Sequence, residues 1–195
     1  MSGRGGGSLG APLRVATVGA GYFSGFHADA WMRNPDADLV GLADLDTAKA
    51  SALLSTCVGD GANPSVFSTA EQMFDDLAPE IIDIATPPHT HLKMIEAALR
   101  TDAKAIICQK PFCGNLADAR IAAEMIAEAG KLVIVHENFR FQPWYRTIKR
   151  EIEAGRIGDL YQITFKLRPG DGQGGDTYLD RREFTSARRG ENFDS

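Results

Sequence analysis

The sequence predicts an α/β fold, namely a doubly wound parallel sheet with helices on both faces, followed by the start of a second α+β domain with an open sheet. Three observations support this prediction. Short apolar, strand-like segments alternate with helix-like segments over residues 13–154. A glycine-containing turn directly follows the first apolar segment. Near residue 160 the pattern changes to a strict alternation of apolar and polar residues.

Six short segments predict the strands of the parallel sheet. The first is apolar and rich in β-branched residues, which is typical of a strand buried on both faces. The predicted strands cover residues 13–19, 39–43, 66–67, 80–85, 103–108 and 131–135.

Six helices are predicted between and after these strands. Asp46 or Thr47 caps the second helix, Thr69 caps the third, and Gly130 ends the fifth. The predicted helices cover residues 24–32, 47–54, 70–77, 91–99, 116–129 and 141–154.

The segment after Asp159 predicts a half-buried strand of a second domain. Tyr161, Ile163, Phe165 and Leu167 alternate with polar residues, as in an antiparallel sheet with one wet face. One strand cannot bury its apolar face alone, so either the chain is a fragment or the strand finds a partner elsewhere. Pairing with a second copy would make the protein a homo-oligomer.

Composition and charge narrow the possible partners and the compartment. The formal net charge of −5 argues against nucleic acid and anionic membranes as main partners. Cys57, Cys108 and Cys113 form no CxxC pair and indicate reduced thiols in a cytoplasmic protein. No apolar run is long enough to span a bilayer. Residues 1–12 are rich in Gly and Ser and predict a flexible tail without the apolar core of a signal peptide.

The turn after the first strand has the pattern of a dinucleotide-binding site. In Gly19-Ala20-Gly21-Tyr22-Phe23-Ser24, the first glycine permits a tight turn and the second lets a pyrophosphate approach the backbone. The helix start then offers N–H groups to the phosphates. Ser24 replaces the third glycine, and its hydroxyl could cap the helix or contact phosphate. The alternative is a strand-to-helix turn that binds no ligand.

Asp44 strengthens the interpretation as a nicotinamide-dinucleotide site in a Rossmann fold. It follows the second strand, close to the expected interval of about 20 residues from the glycine turn. A carboxylate at this position accepts hydrogen bonds from both hydroxyls of the adenosine ribose, and it repels a 2′-phosphate. NAD is therefore favoured over NADP. The alternative role of Asp44 is to cap the following helix.

Several further motifs follow one another along the chain: Gly19-Ala20-Gly21 with His27, Ala85-Thr86-Pro87-Pro88 with His91, Gln109-Lys110-Pro111, and Asn138-Phe139-Arg140-Phe141. They occur in the order found in the Gfo/Idh/MocA oxidoreductases, which the chain resembles over residues 13–167. The most specific is Lys-Pro after the fifth strand. The resemblance implies a Rossmann domain over residues 13–140, then a linking helix and the truncated start of a substrate domain over residues 141–195.

The resemblance also implies roles for individual residues. Lys110 would be catalytic, exchanging a proton with the substrate hydroxyl while a hydride moves between NAD and a sugar, polyol or related alcohol. The family usually has Glu before this lysine, and Gln109 removes that negative charge. The cofactor-contacting residues would be Gly19, Gly21, Tyr22, Phe23, Ser24, Asp44, Thr86, Pro87, His91, Gln109, Lys110 and Asn138.

Other polar residues favour structural interpretations. His89 and His91 are two residues apart and lack further ligands, so no metal site is expected. We interpret His27 as a helix-packing residue and Cys108 as a small apolar strand residue. Arg140 could brace the junction between domains.

The family's second catalytic element, an Asp and a His on a helix of the substrate domain, has no match, because no histidine follows His136. Two alternatives to an enzyme therefore remain open: a dinucleotide-binding module without catalysis, and an inactive truncated remnant.

Overall fold

The structure is a computed structural model that describes residues 10–57 and 63–164. The chain divides into two compact units, Met1–Gln142 and Pro143–Ser195. The predicted tail over residues 1–12 and the loop after Asp60 lie partly outside the described residues. Phe165, Leu167 and the polar C-terminal segment lie entirely outside them.

The first unit contains a six-stranded sheet in which every pair of neighbouring strands is parallel. The strand order is β3-β2-β1-β4-β5-β6. This order confirms the predicted doubly wound fold. The strands are β1 (Leu13–Val18), β2 (Ala37–Ala43), β3 (Ser65–Phe67), β4 (Ile81–Ile84), β5 (Ala105–Gln109) and β6 (Leu132–His136).

Among the described residues of this unit, five α-helices cover the two faces of the sheet. Asp46, Thr69 and Asn115 cap the second, third and fifth helices by accepting backbone N–H bonds. Gly130 ends the fifth in the left-handed conformation. The helices are α1 (Tyr22–Met32), α2 (Thr47–Thr56), α3 (Ala70–Leu77), α4 (His91–Leu99) and α5 (Leu116–Ala129), with a 3-10 turn at Pro88–Thr90 and another at Asn138–Phe141.

The core consists of apolar clusters on the two faces of the sheet. The largest joins β1, β4 and β5 to α3, α4 and α5, and includes Met73, Ile84, Ile95 and Ile106. A smaller one joins β1 and β2 to α1 through Val15, Leu39 and Ala28. Because these clusters fix the strand positions, they also fix where the loops at the carboxyl edge of the sheet begin.

The observed element boundaries differ from the predicted ones by a few residues. Helix α1 begins at Tyr22 rather than Ser24, because Gly21 is already its N-cap. Strand β5 begins at Ala105 rather than Ala103, since the Thr101 hydroxyl accepts the Ala103 N–H in a turn.

The second unit begins with α6 (Pro143–Glu153), in place of the predicted helix over 141–154. Proline at the first helical position explains the later start. Residues 161–164 form no strand, and Tyr161 is 93% exposed. A strand needs a hydrogen-bonded neighbour, and the described residues of this unit supply only α6. Sheet pairing between copies therefore remains a prediction. No helix in the described ranges is both long and apolar enough to cross a membrane.

Candidate functional site

The predicted site residues lie at the carboxyl edge of the sheet, where the strand order reverses. Chain connections run outward in one direction from β1 and in the other direction from β4, so the loops after these two strands diverge. A crevice at such a reversal is where open α/β sheets bind ligands. Gly19 follows β1, and Ala85 and Thr86 follow β4. The topology therefore brings two of the predicted motifs together.

The turn after β1 requires glycine at its first position. Gly19 has φ of +102°, a backbone conformation that L-residues rarely adopt. A Cβ atom there would lie 2.8 Å from the Ala85 carbonyl oxygen and 3.1 Å from the Thr86 methyl carbon. Gly21 is the N-cap of α1 and contributes no side-chain cap. The helix start thus stays accessible to a ligand backbone or phosphate rather than being covered by a capping side chain.

Ser24 packs α1 against the sheet. Its side chain is fully buried, and its hydroxyl lies 3.4 Å from the Ala85 carbonyl oxygen. This is the close helix-to-sheet approach that a small residue permits at the third position of the glycine pattern. The predicted phosphate contact of Ser24 remains a prediction.

Asp44 lies beside the glycine turn and is held there by the backbone. Its Oδ2 accepts the Ala20 N–H at 2.6 Å, and its Oδ1 accepts the Asp46 N–H at 2.9 Å. An ionised carboxylate has about four lone-pair positions, so two remain for other donors. The capping role belongs to Asp46, which accepts the Lys49 N–H. Asp44 is therefore positioned against the turn and does not cap α2.

Lys110 lies between two aromatic rings at the same edge. Its Nζ is 5.6 Å from the ring centroid of Phe23 and 5.7 Å from that of Phe139. These distances permit cation–π attraction. Phe23 belongs to the first turn of α1, so the lysine reaches the helix start that follows the glycine turn. Gln109 accepts the Lys110 backbone N–H through Oε1 at 2.7 Å.

Hydrogen bonds fix the loop after β4 next to this turn. The loop contains Thr86 and Pro87 and leads to His91. The Thr90 hydroxyl lies 2.7 Å from that of Thr86 and donates to the Pro87 carbonyl at 2.8 Å. The His91 ring is fully buried, with Nε2 at 2.8 Å from the Thr86 carbonyl and Nδ1 at 3.1 Å from that of Pro111. His91 therefore ties the loop after β4 to the loop after β5, and its predicted cofactor contact remains a prediction.

Tyr22 and Asn138 complete the predicted set. The Tyr22 ring is half-exposed and packs edge-to-face with Phe23 at 5.2 Å. Asn138 lies in the 3-10 turn after β6. Its Oδ1 is buried and has no hydrogen-bond partner among the described residues. A buried amide oxygen usually accepts a hydrogen bond, and a ligand hydroxyl would donate one here.

The sequence did not predict a buried polar cluster beneath these residues. Asp83 lies in the middle of β4 with no exposed surface, and it contacts Nδ1 of His27 at 2.9 Å and Nε1 of Trp31 at 2.7 Å. Nε2 of His27 contacts both Gln109 and His136. The signal was an acidic residue inside the apolar run Ile81-Ile82-Asp83-Ile84, because such a residue needs buried partners.

His136 and Cys108, near the site, have shifted pKa values. Burial is the largest cause that lowers the pKa of His136, and the neighbouring His27 and, more weakly, Lys110 lower it further. Asp83 and Glu137 act in the opposite direction and raise it. Burial raises the pKa of the Cys108 thiol to about 12, with smaller contributions from Cys113 and Asp83. Cys108 therefore stays protonated at neutral pH, as expected of a strand residue that is no nucleophile.

The residues at this edge fit NAD. The φ of Gly19 and the uncapped helix start accommodate a pyrophosphate, Asp44 has free lone pairs beside them, and Asn138 has an unpartnered oxygen. In the described part of the chain, no group of three or more His, Cys, Asp or Glu residues is placed to hold a metal ion.

A cavity of about 620 Å³ lies at the opposite edge of the sheet. Its lining comes from the ends of α3 and α4 and the loop before β4, and includes Phe74, Asp75, Pro79, Glu80 and Arg100. None of the predicted site residues line it. Because ligands of open α/β sheets bind at the carboxyl edge of the strands, we place the functional site at the glycine turn and not in this cavity.

Comparisons with known proteins agree with this geometry. Residues 13–137 match the model of the Gfo/Idh/MocA family, described as an oxidoreductase family with an NAD-binding Rossmann fold. The chain is 34% identical to D-apiose dehydrogenase of Paraburkholderia graminis over 88% of its own length and 44% of that protein. It is 30% identical to inositol 2-dehydrogenase of Rhizobium meliloti over 80% of its length and 45% of that protein. The chain thus spans less than half the length of these relatives.

Two solved structures share the fold of this chain at comparable identity. An oxidoreductase from Agrobacterium radiobacter, in complex with NAD+, L-tartaric acid and magnesium, is 29% identical with a TM-score of 0.69, over 76% of this chain and 42% of that one. An NAD binding oxidoreductase from Klebsiella pneumoniae is 28% identical with a TM-score of 0.66, over 76% and 40%. The chain belongs to the Gfo/Idh/MocA oxidoreductase family and contains the NAD-binding Rossmann domain of that family.

Proposed function

We propose that this chain is the cofactor-binding part of an NAD-dependent dehydrogenase that oxidises an alcohol carbon of a sugar or polyol. The observation that carries the proposal is the position of Lys110. Its ammonium group lies 5.6 Å from the ring of Phe23, which follows the glycine turn directly. A proton-transferring group and a pyrophosphate-binding turn therefore share one edge of the sheet, as dehydrogenation of an alcohol requires.

The residues of this edge have separate roles in the proposed reaction. Gly19 and the start of α1 bind the pyrophosphate, and Asp44 accepts hydrogen bonds from the adenosine ribose. NAD supplies the hydride acceptor. Starting as a neutral amine, Lys110 would take the hydroxyl proton as the alcohol carbon gives its hydride to the cofactor, and the positive charge that Lys110 gains would stabilise the oxygen. The rings of Phe23 and Phe139 hold the ammonium group between them.

Asp44 selects the cofactor. Because its two oxygens already lie against backbone N–H groups, the carboxylate stays fixed next to the turn. A fixed negative charge there repels the 2′-phosphate of NADP and accepts the free hydroxyls of NAD.

The substrate class comes from the relatives. D-apiose dehydrogenase and inositol 2-dehydrogenase are named for a sugar and a polyol, and we propose the same class of small molecule for this protein. The cysteines described by the structure, Cys57, Cys108 and Cys113, are all free. Free thiols favour a reducing compartment, and we propose a cytoplasmic location.

Turnover of the full chain tests the proposal. The absorbance of the reduced cofactor is followed with NAD or NADP and a panel that contains D-apiose and myo-inositol. We expect reduction of the cofactor with at least one member, faster with NAD than with NADP. Lys110→Met should lower kcat by about 10²–10⁴-fold, the usual contribution of a positioned acid–base group, with little change in NAD affinity. Lys104→Met is the matched control, since Lys104 pairs with Glu80 at the opposite edge.

Two outcomes contradict the proposal in different ways. NADH binding without turnover of any substrate would make the chain a dinucleotide-binding module without catalysis. Absence of NAD and NADH binding in calorimetry would rule out both the enzyme and the module.

A further inference from the structure

The buried cluster beneath Lys110 has hydrogen bonds whose directions follow from its geometry. His27 is 7% exposed and Asp83 is 0% exposed. Nδ1 of His27 lies 2.9 and 3.1 Å from the two carboxylate oxygens of Asp83, and the Trp31 indole N–H donates to the same carboxylate. A carboxylate only accepts hydrogen bonds, so Nδ1 of His27 carries a hydrogen.

Gln109 sets the state of the other ring nitrogen. Its side-chain atom 2.7 Å from the Lys110 backbone nitrogen is an oxygen, because that N–H only donates. The amide NH₂ group therefore faces Nε2 of His27, at 3.0 Å. Since an amide NH₂ only donates, Nε2 of His27 presents a lone pair. The ring is then neutral, with its hydrogen on Nδ1.

His136 agrees with this assignment. Its Nδ1 lies 3.1 Å from Nε2 of His27, and the two rings meet edge-to-face. Nε2 of His27 has one lone pair, so the Nδ1–H of His136 shares it with the Gln109 amide. Burial lowers the pKa of His136, which favours a neutral ring that keeps one N–H to donate.

We infer that Gln109 is a positioning residue that holds His27 as a neutral, Nδ1-protonated ring and ties the Asp83–His27 pair to the backbone of Lys110. The hydrogen bonds of the cluster do not depend on the proposed function. Their effect on catalysis does, because it requires Lys110 to be the catalytic residue. Hydrogen bonds connect Asp83 in β4 to His27 in α1 and His27 to Gln109 at the end of β5. Gln109 in turn accepts the backbone N–H of the reactive lysine. Thus the side chain of Lys110 begins from a backbone position that three segments, β4, α1 and β5, fix.

A carboxylate in place of the amide would change the protonation of the cluster. In Gln109→Glu, one carboxylate oxygen keeps the bond from the Lys110 N–H and the other faces Nε2 of His27. That nitrogen then needs a hydrogen, so the ring takes up one proton and lies between two carboxylates. The added negative and positive charges cancel. The titratable groups in contact with the ring are Asp83 from β4 and His136 from β6, and the charges of Glu137 and Lys110 act on His136.

Nitrogen-15 NMR of the histidine rings in the full chain tests the inference without cofactor or substrate. The His27 signals are assigned by their loss in His27→Gln. At pH 7 we expect wild-type His27 to show a protonated Nδ1 and an unprotonated Nε2. In Gln109→Glu, the unprotonated-type signal should be lost. The matched control is Gln72→Glu, which adds the same charge on the exposed face of α3 and should leave the signals unchanged.

Wild-type His27 with a hydrogen on Nε2 would overturn the inference, whether or not the variant folds. Unchanged His27 signals in a folded Gln109→Glu protein would also overturn it. The link to Lys110 is tested by amide hydrogen exchange, which should be faster at the Lys110 N–H in Gln109→Met and unchanged in Gln72→Met. These readouts are independent of NAD binding and turnover, so a failure here is separate from a failure of the proposed function.

Discussion

The two halves of the sheet hold their parts of the site by different means. On the half formed by β1 and β2, the backbone fixes the site: Gly19 makes the turn, Gly21 starts α1, and two N–H groups hold Asp44. On the half formed by β4, β5 and β6, contacts between buried side chains fix the site, with Asp83 and His27 at the centre.

Because of this difference, we expect the two halves to respond differently to amino-acid substitutions. A backbone site depends on one conformation that only glycine adopts cheaply, whereas a side-chain cluster depends on every donor having an acceptor. Substitutions in the first half should therefore affect binding more than folding. Substitutions in the second half should affect folding first.

The largest expected effect is on folding, in Asp83→Ala. The change leaves the buried N–H groups of His27 and Trp31 without an acceptor, at a cost of about 1–3 kcal/mol for each donor. Urea unfolding should show a lower midpoint with an unchanged slope. The control is Asp76→Ala on the exposed side of α3, for which we expect a change within about 0.5 kcal/mol. Equal stability of the two variants would contradict the difference between the halves.

A smaller loss of stability, but a complete loss of NAD binding, is expected for Gly19→Ala. The new Cβ would meet the Ala85 carbonyl oxygen at 2.8 Å, and the positive φ adds strain of about 1–3 kcal/mol. Gly25→Ala is the control, because a Cβ there meets nothing within 4 Å and alanine favours the helix. Both variants are compared by thermal unfolding and by calorimetry with NAD. Normal NAD affinity in Gly19→Ala would show that the turn does not hold the cofactor.

The smallest effect concerns pH. The pKa of His136 is lower in the folded chain than its ordinary value of 6.5, so below that value the unfolded chain binds more protons. Stability is therefore fully present above pH 6.5 and is lost as pH falls toward the lowered pKa. His136→Gln should flatten the pH dependence of the unfolding free energy in this range, and Asn63→Gln, an exposed change, should not. Identical slopes in wild type and His136→Gln would contradict the assignment.

Much of the fold could be predicted from the sequence because its signals are local. The periodicity of each segment predicts its type, and the caps at Thr69 and Gly130 occur where the residue types indicate. The apolar pattern predicts that α6 begins at residue 141, whereas Pro143 at the first helical position marks the observed start. The alternation over residues 161–167 predicts a strand, yet alternation does not supply the neighbour that a strand needs.

Some residues of the candidate site could be predicted from the sequence, and others could not. Gly19 and Asp44 could be predicted because their spacing in one strand–turn–helix–strand unit is itself the signal. The Asp83–His27 pair could not, since its members are 56 residues apart and meet only because β1, which leads into α1, pairs with β4. The interpretation of His27 as a packing residue missed the pair for this reason. In the pairing of β5 with β6, Gln109 lies opposite His136.

Titration calorimetry of NAD against the wild-type chain and Asp44→Asn tests the role of the turn and its carboxylate. Hydrogen bonds to a charged group contribute about 1.5–3 kcal/mol, so the variant should bind NAD roughly 10- to 100-fold more weakly and discriminate less against NADP. Asp38→Asn, at the exposed start of β2, should bind like the wild type. Equal NAD affinity in Asp44→Asn and wild type would contradict the assignment of this edge of the sheet as the cofactor site.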